Sequence, residues 1–274
     1  IASEQGSESD LAKEIIGKAV KIAPKDREIN YIAYKVYQKL LEDDLAEKAL
    51  GRIIEANPND ATAYNQRAWY YKDIRDFKRA ADDCQKAIDI NPKYEGALYM
   101  QGRMLHHLER WQESIAAYNK LVQIKKAKGE AGIGATSEIR LAECYAALGQ
   151  NQKAIEHYTI AIKQMSPEKT DTVFSKGCMH MNKSTKEDYI SSWSSRAQLY
   201  AKSGQIDRAI KDSTGLLAVF PKNPTGLHER ANEYQKAGKY ELALKDVETL
   251  IAIDPDVAVW YRTKLDILKK MGRK

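Results

Sequence analysis

One pattern recurs at intervals of 34 residues, and this periodicity constrains the fold more than any other feature of the chain. Each copy has a tyrosine, a small residue nine positions later, an apolar or small residue and then a proline. The copies are Tyr37-Ala46-Ile53-Pro58, Tyr71-Ala80-Ala87-Pro92, Tyr200-Ala209-Leu216-Pro221 and Tyr234-Ala243-Leu250-Pro255. A period of this length is typical of stacked helical hairpins. We therefore predict an all-α fold, and most enzyme folds are excluded.

The pattern divides the chain into six helix-turn-helix units with defined flanking segments. The units are predicted at about residues 27–60, 61–94, 95–128, 135–167, 190–223 and 224–256. They are preceded by a flexible tail (1–10) and a partial repeat (11–24). They are followed by a capping helix (257–271) that carries Val259, Leu265, Leu268 and Met271 on one side. The whole solenoid is predicted to span residues 11–272.

Small residues are expected where the two helices of each unit cross, because a larger side chain would push the helix axes apart. In the first helices these residues are Ala68, Gly102, Ala142, Ala197 and Ala231, and the first unit departs with Tyr34. The second helices carry Ala46, Ala80, Ser114, Ala154, Ala209 and Ala243. Glycine in several turns and proline after the second helices are consistent with helix ends.

On these residues the chain resembles the tetratricopeptide repeat (TPR) family over about residues 11–272. The resemblance implies a right-handed α-solenoid of stacked antiparallel helix hairpins, the TPR superhelix. It also implies a concave inner groove that binds peptide segments of other proteins. The chaperone-binding subfamily holds a C-terminal carboxylate with a pattern of Lys, Asn and Arg. The two registers that start at Tyr31 and at Asn65 do not match it, so binding of a chaperone tail is disfavoured.

The phase of the first helices predicts which side chains face this groove. The predicted peptide-binding residues are Tyr31, Lys35, Asn65, Gln66, Trp69, Tyr99, Met100, Arg103, His106, Arg140, Ser194, Gln198, His228 and Asn232. The same phase places Ile139, Glu143 and Glu229 there. Trp69, Tyr99 and Arg103 are the predicted anchors, because aromatic and arginine side chains dominate many interfaces. Packing of Trp69 against a neighbouring first helix is an equally weighted alternative.

Two spacings exceed the period, by six residues near 125–136 and by 21 residues at 168–189. Insertions in solenoids map to loops, sometimes on a functional face. We favour surface loops without a specific function here, because lengthening a loop has a low thermodynamic cost. The second insertion contains the cluster Cys178-Met179-His180-Met181, for which a loop without a metal is favoured over a copper or zinc site.

The remaining sequence features favour a non-enzymatic protein that needs no cofactor and binds no metal. No metalloprotease, phosphate-binding-loop or nucleophile-elbow motif occurs. The net charge of +6 comes from interleaved charges rather than a basic stripe, which disfavours nucleic acid as a partner. No apolar run is long enough to span a membrane. Three cysteines without a disulfide pattern favour the cytoplasm.

The leading functional hypothesis is therefore a protein–protein interaction scaffold or adaptor that binds a peptide segment of a partner in the concave groove. One alternative is a regulatory or targeting arm of a larger enzyme or assembly. This alternative follows from the first residue, Ile1, and the partial first repeat, which are expected of a truncated or processed chain. Another alternative is a self-assembling scaffold, in which the partial repeat stacks on a second copy.

Overall fold

A computed structural model describes residues 2–130, 132–165 and 183–272. These residues form fourteen α-helices and no β-strand, which confirms the predicted all-α fold class. The chain divides into two compact units, residues 1–133 (unit 1) and 134–274 (unit 2). None of the helices in the described part of the chain has the length and hydrophobicity needed to cross a membrane.

Unit 1 contains seven helices, three pairs of which form hairpins. The helices are α1 (Ala2–Ile22), α2 (Arg27–Lys39), α3 (Asp43–Ala56), α4 (Ala61–Asp73), α5 (Phe77–Ile90), α6 (Glu95–His107) and α7 (Trp111–Ala127). The hairpins are α2–α3, α4–α5 and α6–α7, and within the unit α3 also packs on α4 and α5 on α6. Contact between α4 and α6 shows that first helices adjoin one another. We call the exposed side of α2, α4 and α6 the first-helix face of unit 1.

Unit 2 repeats this arrangement. Its helices are α8 (Ala135–Ala147), α9 (Asn151–Met165), α10 (Lys183–Lys202), α11 (Ile206–Val219), α12 (Pro224–Lys236), α13 (Tyr240–Ile253) and α14 (Ala258–Lys270). The hairpins are α8–α9, α10–α11 and α12–α13, and α14 packs against α13. Because α10 also contacts both α8 and α12, these three helices define the first-helix face of unit 2.

The helices begin where polar side chains can bind their free backbone amides. Asp26 accepts a hydrogen bond from the amide of Ile29, and Asp60 accepts from the amides of Thr62 and Ala63. Such N-caps satisfy donors that have no partner within the helix. The start of α12 combines an Asn223 cap with Pro224 in the first turn, where proline fits because its missing amide would be unpaired anyway.

Small residues allow the helices of each hairpin to approach closely. Ala68 and Ala80 are fully buried in the α4–α5 hairpin. In the next hairpin a Cβ atom on Gly102 would lie 2.7 Å from the ring of Tyr118. The hydroxyl of Ser114 donates a 2.8 Å hydrogen bond to the Gly102 carbonyl across the same crossing. The buried Tyr118 ring therefore occupies the space that a side chain at residue 102 would need.

Two predicted irregular segments, the N-terminal tail and the 168–189 insertion, differ from the structure in their described parts. Residues 2–10, which we expected to form a flexible tail, are part of the continuous helix α1, whose later turns bury Ile16 and Val20 against α2. Helix α10 begins at Lys183 rather than near Ile190, so the end of the expected 168–189 insertion is helical. Tyr189 is buried there, which gives the added turns a packing contact. The Cys178–Met181 cluster lies outside the described residues.

The C-terminal helix α14 also packs differently from the expectation. Ile267 is its buried apolar residue, whereas Val259 and Leu265 are 49% and 58% exposed. The reason is that α14 lies against α13 on one side, so only one narrow stripe of the helix is covered. Elsewhere in the core, Cys84 and Cys144 are buried thiols. Burial raises the pKa of Cys84, which makes it an unreactive core residue.

Candidate functional site

Each first helix of unit 1 presents an aromatic ring with a cationic side chain over it. The pairs are Tyr31 with Lys35 on α2, Trp69 with Lys72 on α4, and Tyr99 with Arg103 on α6. The cationic groups lie 5.5, 4.8 and 5.6 Å from the respective ring centroids. Residues three or four apart on a helix share a face, so the spacing within each pair produces the contact.

Exposure makes these pairs accessible to another molecule. The side chains of Tyr31 and Trp69 are 36% and 38% exposed, and Tyr99 is partly exposed. Lys72 forms a 2.7 Å ion pair with Asp73. Among the described residues, neither Lys35 nor Arg103 forms an ion pair, so both retain donors for an acidic ligand. The first-helix face of unit 1 therefore offers apolar rings and positive charge together.

Two residues predicted for this face are buried. Met100 is completely buried and belongs to the hydrophobic core. Asn65 is 7% exposed, and its amide donates a 3.3 Å hydrogen bond to the Tyr94 hydroxyl. Asn65 lies one turn before Trp69, and its contact with Tyr94 covers it. The Met100 prediction was wrong because successive residues of a helix point about 100° apart. Met100 therefore cannot share a face with Tyr99.

The other predicted residues of unit 1 are partly buried at the edges of the face. Gln66 follows Asn65 on α4 and is half-buried. The ring of His106 lies edge-on to Trp111, with 5.2 Å between centroids, so it packs against the next helix. The sequence analysis missed Lys72, although its spacing from Trp69 carried the signal. Trp69 itself is exposed rather than packed into the core.

In unit 2 the first-helix face contains a cleft of about 250 Å³ between α10 and α12. Three predicted residues, Gln198, His228 and Asn232, line it. Ser194 is 8% exposed and donates a hydrogen bond to Glu229, which also lines the cleft. The structure therefore places four of the predicted residues at or beside one polar cleft.

The remaining predicted residues of unit 2 do not line this cleft. Arg140 forms a 2.6 Å ion pair with Glu143 on α8. Ile139 is 1% exposed and therefore cannot contact a ligand, because it faces the core. The sequence analysis missed Lys202, Glu233 and Lys236, which line the cleft. Glu233 lies one turn after Glu229, and this spacing was the available signal.

The cleft contains two carboxylates beside the side chains of Lys202 and Lys236. The Oε1 atom of Glu229 accepts hydrogen bonds from Ser194 and, at 2.8 Å, from the amide of Gln198. Glu233 is 3% exposed, and its Oε2 atom accepts a 2.8 Å hydrogen bond from the hydroxyl of Ser213. Burial raises the pKa of Glu233 to about 7, and the negative charge of Glu229 contributes to the rise.

These side chains offer hydrogen-bond donors, acceptors and charges to another molecule. No three His, Cys, Asp or Glu side chains of the described ranges come together as metal ligands. The helical hairpins are stacked, and their exposed first helices carry the polar and aromatic side chains. These features define a helical-repeat protein of the solenoid class.

Comparison with known proteins identifies the family. Tetratricopeptide repeat family models match residues 61–94 and 95–165. The structure is similar to "YrrB: a TPR protein with an unusual peptide-binding site", with a TM-score of 0.60, 18% identity, and coverage of 80% of this chain and 99% of that one. It also resembles the C-terminal part of a TPR repeat-containing protein from Cytophaga hutchinsonii, with a TM-score of 0.70, 14% identity, and coverage of 94% and 95%. The chain is a tetratricopeptide repeat protein.

A curated relative matches a shorter stretch. The small glutamine-rich tetratricopeptide repeat-containing protein 2 of Mycosarcoma maydis is 35% identical over 79 residues, which are 29% of this chain and 22% of that protein. The chain thus spans about a fifth of the length of this relative. The structural likenesses, at under a fifth identity, establish the fold. The TPR fold supports a general role as a protein–protein interaction scaffold, and TPR proteins are typically non-enzymatic.

Proposed function

We propose that the chain is a non-enzymatic scaffold that binds an extended peptide segment of a partner protein on the first-helix face of unit 1. The observation that carries this proposal is the aromatic–cation pair on each of α2, α4 and α6. The likeness to a TPR protein described as having a peptide-binding site supports it. A cytoplasmic location stays a prediction.

The chemistry of the pairs indicates what kind of peptide would bind. The exposed rings of Trp69 and Tyr99 can cover apolar side chains, and such aromatic anchors contribute much of the affinity at interfaces. Arg103 presents a planar guanidinium that fits a carboxylate with two hydrogen bonds. We therefore expect ligands in which apolar residues alternate with acidic ones. Trp69, Tyr99 and Arg103 are the proposed anchors.

The experiment is selection from a displayed library of random dodecapeptides, followed by affinity measurement with fluorescent copies of the selected peptides. The double variant Trp69→Ala/Arg103→Ala removes one ring and one guanidinium. We expect it to bind these peptides about tenfold or more weakly, because such anchors dominate interface energetics. Its thermal midpoint should stay close to that of the wild type, because both side chains are partly exposed.

A matched control is Ile90→Ala/Lys120→Ala. Ile90 is 37% exposed, close to the exposure of Trp69, and Lys120 is an exposed cation; both lie on second helices. This variant should bind the selected peptides as the wild type does. Equal binding by the wild type and the Trp69/Arg103 variant would show that the site is elsewhere. Failure to select any peptide would argue against peptide binding altogether.

A further inference from the structure

The cleft of unit 2 holds a carboxylate whose hydrogen bonding is incomplete. The Oε1 atom of Glu229 accepts from Ser194 and Gln198. The Oε2 atom of the same side chain is buried and accepts no hydrogen bond from the described residues. Buried carboxylate oxygens without a donor are rare, because removal from water costs free energy that a partner normally offsets. A ligand could supply the missing donor once the Glu229 side chain turns to bring this solvent-shielded atom into the cleft.

The same cleft contains a second carboxylate. Glu233 is one helical turn from Glu229 and almost fully buried. Lys202 and Lys236 line the cleft as well, but within the described residues neither forms an ion pair with either glutamate. Like charges four residues apart on a helix destabilise one another. A cation placed in the cleft would relieve this repulsion and would be held by both carboxylates.

We infer that this cleft binds the guanidinium group of an arginine side chain from the partner protein. The inference rests on the proposed function, of which it defines a second recognition site. Guanidinium has five donors and no acceptor, which matches a cleft that presents carboxylate oxygens. Its planar, paired N–H groups can also donate to two carboxylate oxygens at once. The ammonium group of lysine lacks this planar pair of donors.

The other groups around the cleft define the surroundings of this arginine. Lys202 and Lys236 are positively charged, so they disfavour a second basic residue beside the arginine and favour acidic neighbours. His228 is held near Asn232, with 3.2 Å between its Nε2 atom and the Asn232 amide nitrogen. The partner segment is therefore expected to carry one arginine flanked by neutral or acidic residues.

The test uses the full chain and a blocked pentapeptide, Gly-Gly-Arg-Gly-Gly, with a matched peptide in which neutral citrulline replaces arginine. Binding is followed by NMR through the side-chain amides of Gln198 and Asn232. We expect the arginine peptide to bind at least about tenfold more tightly than the citrulline peptide, because only the guanidinium carries the charge. Glu229→Gln should remove this preference, whereas Glu187→Gln, an exposed carboxylate on α10, should keep it.

A second measurement keeps the test decisive if Glu229→Gln does not fold. Affinity of the wild type for the arginine peptide should rise as the pH passes upward through the pKa of Glu233, because that carboxylate becomes charged. The charged groups around Glu233 are Glu229, Asp212 and Lys236, with Lys202 and His228 also in the cleft. Glu233→Gln should flatten the part of the pH dependence that belongs to Glu233.

The outcomes separate this inference from the proposed function. Equal binding of the arginine and citrulline peptides, or an arginine preference that survives in both glutamate variants, would overturn the inference. The Trp69→Ala/Arg103→Ala variant should bind the arginine peptide as the wild type does, because it alters unit 1 only. Loss of dodecapeptide binding in that variant together with no arginine preference would retain the proposed function and reject the second site.

Discussion

Arg196 donates two hydrogen bonds to Asp212, from Nε at 2.7 Å and from Nη2 at 2.8 Å, and so joins the two helices of the α10–α11 hairpin. The side chains are only 10% and 7% exposed. The same arrangement recurs between Arg67 and Asp83 and between Arg230 and Asp246, each time 16 residues apart. In these three hairpins a bidentate ion pair at the same place in the repeat fixes how the second helix lies on the first.

Replacing Asp212 with alanine should destabilise the protein by about 3–5 kcal/mol, because the guanidinium of Arg196 would stay buried without its carboxylate. Urea unfolding measures the loss. Asp207→Ala, on the same helix but with a 94% exposed side chain, should change the free energy of unfolding by less than about 0.5 kcal/mol. The double variant Arg196→Met/Asp212→Leu should recover most of the stability, since no charge remains buried. Equal losses in Asp212→Ala and Asp207→Ala would show that the pair contributes little.

The turns within the hairpins provide a second prediction. Leu41, Arg75 and Glu109 have positive φ angles of 57°, 62° and 57°, whereas Gly149, Gly204 and Gly238 occupy the corresponding place in unit 2. Left-handed backbone costs a non-glycine residue roughly 1–2 kcal/mol. Leu41 is 85% exposed, so its side chain adds little packing. We therefore expect Leu41→Gly to stabilise the protein by about 1 kcal/mol, as measured by urea unfolding.

The converse substitution is the control for this prediction. Gly149→Ala should destabilise the protein by about 1 kcal/mol, because it forces a side chain into the same left-handed conformation. A stability change of the same sign in both variants would contradict the proposed backbone cause. Together the two substitutions test whether the turns of the two units obey one rule.

The period of 34 residues was sufficient to predict the fold class and the family, because each repeat folds mainly against its neighbours. The sequence predicted the positions of individual residues less well. Met100 was wrongly predicted to be exposed, because a shift of one residue along a helix is enough to turn a side chain from the surface to the core. The start of α10 at Lys183 could not be predicted, since the preceding insertion follows no repeat pattern. The cleft depends on Glu233, whose burial is set by packing between α11 and α12 rather than by its own neighbours in sequence.

Close packing at Gly102 leads to a third prediction. A Cβ atom there would lie within 2.7–2.9 Å of three ring atoms of Tyr118, which is far inside van der Waals contact. Gly102→Ala should therefore destabilise the protein by about 1–3 kcal/mol, although alanine favours helices. Gly51→Ala is the matched control, because Gly51 lies within α3 and nothing is within 4 Å of its added Cβ atom. That variant should gain roughly 0.5–1 kcal/mol. Thermal unfolding of both variants measures the contrast, and a gain in both would contradict the assigned crossing.

The buried carboxylate of Glu233 should make stability depend on pH. Its pKa is raised from 4.5 to about 7 in the folded protein, chiefly by burial. The folded state therefore retains a proton that the unfolded state has lost between these two values. By linkage, the protonated Glu233 carboxyl contributes its full stabilisation below pH 4.5. This contribution to the free energy of unfolding declines as the pH rises towards 7. The loss should be on the order of 2–3 kcal/mol.

Glu233→Gln tests this linkage, because glutamine resembles the protonated carboxyl and cannot titrate. We expect the variant to be more stable than the wild type above the pKa of Glu233 and similar to it well below that pKa. The comparison needs urea unfolding of both proteins at several pH values, since other groups titrate equally in each and cancel in the difference. Glu187→Gln, which changes an exposed carboxylate, should give a difference that does not vary over this range. If the difference in unfolding free energy between Glu233→Gln and the wild type were also constant, Glu233 would already be ionised in the folded protein. Lys236 would then have to balance the repulsion between Glu233 and Glu229.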